Sequence, residues 1–246
     1  MSSAGISDER QEIFFEHVDQ FNSTVSTEGL AGEFVQKDIS GATYDPYTMQ
    51  DEWNEVYPYF LGYNCRITAF SLFGDYIEIP TDAEIRSDMV MLDMASLEED
   101  SSALLNERDY DRFLAFYSTV PTESTQETSV HVENLQGDWA KRGIIFDEQS
   151  KALLISVVFH DSWDDGDYLF IGHTGVLFPV SDDELYFVEK IAFQEPYQLT
   201  RFKSRVELND YLMAKYDVSY GQSTAAPFIM ENDKLMEEYR QNPDKS

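Results

Sequence analysis

The chain has 246 residues, of which 42% are hydrophobic and 14% aromatic, so it is long enough to bury a substantial core. Asp and Glu number 47 against 17 Lys and Arg, which gives a formal net charge of −30. The negative electrostatic potential of such a chain repels nucleic-acid phosphates and anionic lipid surfaces, so we expect a neutral or cationic partner and no nucleic acid. The single cysteine excludes an internal disulfide and a zinc site with several thiolates, and we predict neither a metal nor a cofactor.

No stretch of the sequence approaches the roughly 20 apolar residues of a membrane-spanning helix, so no integral membrane segment is predicted. Residues 1–15 have neither the basic start nor the apolar centre of a signal peptide. If Met1 is the native start, a cytoplasmic protein is expected. Neither a repeat nor an interdomain linker is evident, which predicts a single domain over residues 1–246.

The first part of the chain, about 1–150, is predicted to be mainly helical. In the first helix, Ile13, Phe14, His17 and Phe21 fall on one stripe at helical spacing. Predicted helices cover residues 7–24, 64–77 and most of 82–118, with an irregular segment at 25–50, a polar loop at 118–129 and a short helix within 130–146.

The pattern changes after residue 150, where β-branched and aromatic runs are bounded by turn residues. Strands are predicted at residues 152–159, 167–178, 185–193 and 198–204, followed by an amphipathic helix at 205–216 and a charged helix with a frayed tail at 231–246. The sheet part therefore covers about 151–220. Helices followed by an antiparallel meander predict an α+β fold, with N-terminal helices packed on an antiparallel sheet.

The only cysteine lies at the predicted start of a helix. Asn64 is a good N-cap residue, which makes Cys65 the first helical residue and Arg66 the second. Unpaired N–H groups at a helix start favour a thiolate and can also stabilise an oxyanion. Tyr63 could place a hydroxyl near the same point. The alternative is a buried, inert cysteine, which is common among free thiols.

A nucleophilic cysteine needs a base, and His173 is the best candidate because glycines flank it in the GHTG stretch of a predicted strand. In the next strand, Glu189 is the only polar residue on its face, and a carboxylate there is costly unless it is paired. A five-residue hairpin loop would pair Phe178 with Glu184 and place His173 opposite Glu189. A two-residue turn would displace Glu189 and make Gln194 the better partner. A buried His–Glu pair with a purely structural role is the alternative to a catalytic one.

Five stretches of the chain, GYNCRIT, FIGHTGVLF, VEKIAFQEPYQ, LNDYLMAKYDV and PFIMEND, resemble a bacterial family found largely in Gram-positive species. The family is known only as a domain of unknown function, and its members are often predicted lipoproteins. The resemblance runs from about Gly5 to Tyr239. It implies an extracytoplasmic, cell-envelope location but carries no activity.

The order of a cysteine at a helix start, a histidine in an HxG strand and a polar residue in the next strand resembles the NlpC-type branch of papain-like cysteine hydrolases. This resemblance implies a papain-like core in which Cys65 is the nucleophile, His173 the base and Glu189 the residue that orients it. It implies hydrolysis of a small peptide, amide or ester. Arg66 stands where that branch has a small residue, and with Tyr63 and Gln194 it is a candidate for oxyanion or substrate contact. The alternative function is a non-catalytic envelope protein that binds a ligand or partner.

Overall fold

The computed structural model describes residues 1–35, 43–100, 105, 107–181 and 183–245. Its helices are α1 (Asp8–Thr24), α2 (Pro46–Val56), α3 (Cys65–Phe73), α4 (Met91–Glu99), α5 (Glu107–Phe116), α6 (Thr128–Lys141) and α7 (Arg205–Tyr216). Its strands are β1 (Ile77–Glu78), β2 (Val120–Thr122), β3 (Ile145–Phe146), β4 (Leu153–Trp163), β5 (Gly166–Ser181), β6 (Glu184–Lys190), β7 (Tyr197–Phe202), β8 (Phe228–Glu231) and β9 (Lys234–Leu235).

The strands of the main sheet are ordered β7-β6-β5-β4-β8-β9, and β2 pairs with the start of β5. The described strand pairs are all antiparallel. Strands β1 and β3 form a separate two-stranded sheet. The predicted α+β class and antiparallel sheet are therefore confirmed.

The main sheet is buried on both faces. Side chains of one face, among them Leu154, Ile171 and Val176, pack in a large cluster with the helices of the N-terminal half. On the other face, residues including Val157 and Leu177 pack against α7. Because successive side chains of a strand point to opposite faces, the two clusters alternate along β4 and β5, and each strand reads as a nearly continuous apolar run.

The predicted start of α3 is confirmed. The side chain of Asn64 accepts a hydrogen bond from the N–H of Ile67 at 3.0 Å, so it caps the helix as the sequence predicts. The helix ends at Phe73 and a 3₁₀ turn follows at Gly74–Tyr76, so the predicted helix to residue 77 is slightly too long.

The predicted charged helix at 231–246 is wrong. The chain instead forms the hairpin of β8 and β9, in which Asn232 adopts a left-handed φ of 52°. Asn232 fixes the hairpin to β4, because its N–H donates to Leu154 O and its Oδ1 accepts from Leu154 N, each at 2.8 Å. Two residues connect the strands, and such a tight hairpin turn needs residues with left-handed backbone angles. The many charged residues of the segment resemble an exposed helix, so this turn was not predicted.

Other element boundaries also differ from the prediction. Helix α2 begins inside the segment predicted to be irregular, since Pro46 follows the capping residue Asp45. Strand β2 lies inside the predicted polar loop. Among the described residues between 82 and 118, the helices are α4 and α5, where the sequence predicted a mainly helical stretch. Residues 36–42, 101–104 and 106 of these predictions lie outside the described residues.

Candidate active site

The thiol of Cys65 lies where α3 begins and meets β5 and β6. The residue is buried, with 6% of its surface exposed. The N–H groups of the first turn of a helix have no partner within the helix, so they form a positive end beside the sulfur. The cysteine is therefore placed where a thiolate is favoured.

His173 and Glu189 form a hydrogen bond, with 2.7 Å between Nε2 and Oε2. Both residues are 1% exposed. The predicted register that placed them directly opposite each other is wrong, because Phe178 pairs with Tyr186 and not with Glu184. Ser181 pairs with Glu184, as the alternative two-residue turn predicts. An irregularity between Pro179 and Ser181 then shifts the pairing by one residue, so that Pro179 pairs with Leu185.

The irregularity restores the contact that the tighter turn would have lost. A shift of one residue reverses the face to which every side chain of a strand points. The bulge supplies that one-residue shift, so Glu189 returns to the face that carries His173. The two side chains then meet as diagonal neighbours, a spacing of about 7–8 Å between backbones that long side chains can bridge.

The thiol of Cys65 lies close enough to the imidazole of His173 for the two groups to shift each other's pKa. Because Glu189 occupies Nε2, the ring nitrogen left for the thiol is Nδ1. Burial alone would raise the pKa of Cys65. The facing His173, together with Arg66 and a backbone hydrogen bond from Thr174, outweighs burial and holds this pKa below its usual value.

Burial alone would likewise lower the pKa of His173, but Cys65 and Glu189 raise it to about 9. A thiol pKa that falls while the imidazole pKa rises favours the ion pair of thiolate and imidazolium near neutral pH. A thiolate at Cys65 is therefore favoured in the folded protein.

The carboxylate of Glu189 is held by two further side chains. Tyr211 Oη donates to its Oε1 at 2.6 Å, and Gln198 Nε2 donates to the same oxygen at 3.2 Å. Burial would raise the pKa of Glu189, but its bonds to His173 and Tyr211 keep it below the usual value. Sequence reasoning missed Tyr211 and Gln198, because residues on α7 and β7 reveal their partner only through the fold.

The ring of Tyr216 covers the imidazole of His173. Their centroids are 4.8 Å apart and their planes differ by 25°, so the rings are stacked. Tyr216 ends α7, which packs over this face of the sheet. The stack fixes the plane of the imidazole and excludes water from it, and no sequence pattern pointed to Tyr216 as its partner.

Arg66 makes an ion pair with Asp93, a fully buried residue of α4. Asp93 also accepts a hydrogen bond from Asn64 Nδ2 at 2.8 Å. The predicted candidate Arg66 is thus adjacent to the thiol in sequence, but its guanidinium is occupied by protein partners.

The other two predicted contact residues lie at the edges of the site. Tyr63 donates its hydroxyl to Asp100 at 2.9 Å, and its ring lies 4.1 Å from the ring of His17. Gln194 lies in the turn after β6, half-buried. Buried Lys190 holds that turn by donating to the carbonyls of residues 192, 193 and 195, and burial keeps the pKa of its amine well below the usual value.

His131 and His160 lie elsewhere, with ring centroids 4.4 Å apart. His160 binds Asp167 through Nε2 and accepts from Ala225 N through Nδ1. Within the described residues, no group of three or more His, Cys, Asp or Glu side chains is placed to hold a metal ion. In the same part of the chain, no helix has the length and apolar character needed to cross a membrane.

Fold and site together define an α+β protein in which a buried histidine is hydrogen-bonded to a buried carboxylate and lies beside a buried cysteine. The chain belongs to the family described as Domain of unknown function (DUF4300), whose model matches residues 1–236. Comparisons with curated proteins and with solved structures found no match.

Proposed function

We propose that the protein is a cysteine hydrolase that cleaves an amide or ester bond, with Cys65 as nucleophile, His173 as acid and base, and Glu189 as the residue that orients His173. The observation that carries the proposal is the linked set of contacts from the thiol to the imidazole and from the imidazole to the carboxylate. By the resemblances of its motifs, we further propose a papain-like core and an extracytoplasmic location in a bacterial envelope.

The proposed reaction begins with attack of the Cys65 thiolate on the substrate carbonyl carbon, which forms a C–S bond and an oxyanion. Backbone N–H groups at the start of α3, where Cys65 is the first helical residue, would be the donors that stabilise that oxyanion. The His173 imidazolium then donates its proton to the leaving nitrogen or oxygen, and the bond from carbon to that atom breaks. A water molecule gives its proton to His173 as it attacks the thioester, and the acid product leaves as the thiolate and imidazolium are restored.

Glu189 keeps His173 in the tautomer and orientation that this sequence requires. With Nε2–H donated to the carboxylate, Nδ1 is the nitrogen left to exchange the proton with the sulfur in the proposed reaction. Tyr211 and Gln198 hold the carboxylate in turn. Removal of the acid partner of a catalytic histidine leaves the histidine misoriented, which in other hydrolases costs several orders of magnitude in rate.

The test is alkylation of Cys65 by iodoacetamide at pH 6, followed by peptide mapping. Since Cys65 is the only cysteine, the denatured chain gives the rate of the same thiol without its surroundings. We expect the folded protein to react faster than the denatured chain in spite of its burial, and His173→Gln to abolish the difference. Hydrolysis of p-nitrophenyl acetate, lost in Cys65→Ala, completes the test. A folded thiol slower than the denatured one, with no ester turnover, would overturn the proposal.

A second candidate is a binding protein that uses the same fold without catalysis. The near-complete burial of Cys65, His173 and Glu189 favours it, because a hydrolase must admit its substrate to the sulfur. In that case, Cys65→Ser would leave ligand affinity unchanged and the folded thiol would be unreactive.

A further inference from the structure

We propose that the pocket beside Tyr216 binds the leaving-group side of the substrate, and that this group is an aromatic or apolar amine about as large as a benzene ring. This inference rests on the proposed function. It assigns a substrate class and a place for it, which the contacts of Cys65 alone do not.

The pocket lies among the end of β4, the start of β5, the end of α7 and the loop that leads to β8. Its volume is about 180 Å³. A cavity of about 150 Å³ in another protein accepts benzene, so this volume suits one aromatic ring or a branched aliphatic group. Side chains that line it include Phe159, Asp161, Phe170, Tyr216, Thr224 and Pro227.

One wall of the pocket is in direct contact with the site. Tyr216 borders the pocket and also stacks on the imidazole of His173. In the proposed reaction His173 gives its proton to the leaving group, so the leaving group must lie on the His173 side of the scissile bond. The pocket is lined by neither His173 nor Cys65, but it shares Tyr216 with that imidazole, and on this ground it is assigned to the leaving-group side and not to the acyl side.

Two further aromatic residues, Phe159 and Phe170, form part of the wall beside polar residues such as Ser219 and Gln222, and a glycine makes room for the two rings. Phe159 and Phe170 stack with centroids 5.5 Å apart, and Phe159 meets Tyr216 edge-on at 6.1 Å. A Cβ at Gly172, next to His173, would lie 2.5 Å from the ring of Phe159. The missing side chain allows these rings to approach the histidine, and aromatic walls favour an aromatic ligand through stacking and edge contacts.

The charge around the pocket selects an amine over an acid. His160, which lines the pocket, has both ring nitrogens bound, by Asp167 and by Ala225. Asp161 lines the same pocket, is exposed, and brings a negative charge to it. Together with the net charge of −30, this carboxylate favours a released ammonium and repels a released carboxylate.

The experiment compares two alkylating reagents, chloroacetamide and N-benzyl chloroacetamide, each of which transfers its CH₂ carbon to the Cys65 sulfur as chloride leaves. The second reagent carries a benzene ring on the amide nitrogen. Rates are divided by those of the denatured chain, which corrects for intrinsic reactivity. We expect the benzyl reagent to gain about tenfold in the folded protein, equivalent to 1.4 kcal/mol.

Two variants show whether the pocket causes the gain. Thr224→Phe fills the pocket, whereas Ser223→Phe places the same ring on the exposed neighbouring residue of the same loop. The benzyl advantage should vanish in Thr224→Phe and persist in Ser223→Phe. Equal rates for the two reagents, or an advantage that survives Thr224→Phe, would overturn the pocket inference while the proposed function stands. Failure of both reagents to label folded Cys65 would instead overturn the proposed function, and the inference with it.

Discussion

Arg66 connects the helix of the thiol to the strand of the histidine through Asp93 and Ile171. Its Nε lies 3.0 Å from Asp93 Oδ1, its Nη2 lies 2.5 Å from Asp93 Oδ2, and its Nη1 donates to Ile171 O at 3.1 Å. Ile171 precedes His173 by two residues in β5. Arg66 thus links the start of α3 to β5, and its ion pair with Asp93 holds the guanidinium in position for that bond.

We expect Asp93→Asn to destabilise the protein and to weaken the thiolate. Loss of one charge from a buried, bidentate pair leaves the Arg66 guanidinium unpaired, which costs about 3 kcal/mol of the free energy of unfolding. If the helix and strand separate, Cys65 loses its contact with His173, so the pH midpoint of iodoacetamide alkylation should rise. Urea unfolding and a pH series of alkylation rates measure the two effects.

Asp210→Asn is the matched control, because Asp210 also binds an arginine, Arg240, through both oxygens but at an exposed position. Exposed pairs contribute little to stability, and this one lies away from the thiol. An alkylation profile of Asp93→Asn identical to that of wild type would show that the Arg66 connection has no positioning role.

The sequence predicted the parts of the site that depend on local pattern. Asn64 is a capping residue in any context, so the helix start at Cys65 follows from chain neighbours alone. The single polar residue in an apolar strand face likewise pointed to Glu189 and to a paired carboxylate. Both features could be predicted because the sequence pattern that indicates each one lies within a few residues of the feature itself.

The parts that failed depend on distant residues or on single-residue irregularities. No periodicity reveals that Asp93 pairs with Arg66, or that α7 places Tyr211 on Glu189. The hairpin register depended on one bulge, and the alternation of β6 is the same with and without it. The end of β8 and all of β9 were mistaken for part of a helix over 231–246 because charged residues dominate that segment. Phe228, Ile229 and Met230, which β8 buries, precede the segment and were not predicted as a strand.

The raised pKa of His173 should depend on the thiol. In the wild type this pKa is raised to about 9, and Cys65 is the largest of the causes that raise it. In Cys65→Ala, burial acts against Glu189 alone, so we expect the pKa of His173 to fall. NMR titration of the imidazole of His173 measures it. An unchanged pKa in Cys65→Ala would contradict the ion pair.

The same shift predicts how stability depends on pH. The folded-state pKa of His173 exceeds the ordinary value of 6.5, so the folded protein binds this proton more tightly than the unfolded chain. The resulting stabilisation is complete below pH 6.5 and is lost as the pH rises through about 9. Cys65 has the opposite sign, since its lowered pKa contributes stability above the usual thiol pKa that is lost as the pH falls. Urea unfolding of wild type and His173→Gln between pH 6 and pH 10 should show a difference that declines over this range.

Tyr211→Phe should reduce the reactivity of Cys65 through Glu189. The substitution removes the hydroxyl that donates to Glu189 at 2.6 Å and leaves Gln198 as the remaining donor to that oxygen among the contacts described. A buried carboxylate that loses one donor becomes easier to protonate, so it orients His173 less well, and we expect about a tenfold slower alkylation. Tyr186→Phe removes a comparable hydroxyl bond, to Glu184 at the start of β6, and should leave the rate unchanged. Equal effects of the two variants would show that Tyr211 acts only on general stability.

Gly175→Ala tests the close packing that brings β5 and β6 together beside the site. A Cβ at Gly175 would lie 2.4 Å from Phe187 Cζ and 2.7 Å from Val188 O, and Phe187 is fully buried. Overpacking of this kind costs about 1–3 kcal/mol. Gly137→Ala is the matched control, because Gly137 lies in the exposed part of α6 with nothing within 4 Å of the added carbon, and should gain about 1 kcal/mol.

The same substitution should also impair the site. Gly175 follows His173 by two residues, and Phe187 precedes Glu189 by two, so a displaced Phe187 ring moves the strand that carries the carboxylate. We expect slower alkylation of Cys65 in Gly175→Ala and a partial return in the double variant Gly175→Ala with Phe187→Leu, in which the smaller side chain makes room for the methyl group. Additive losses in the double variant would mean that Gly175 and Phe187 are not coupled, since only residues in contact give a compensating interaction energy.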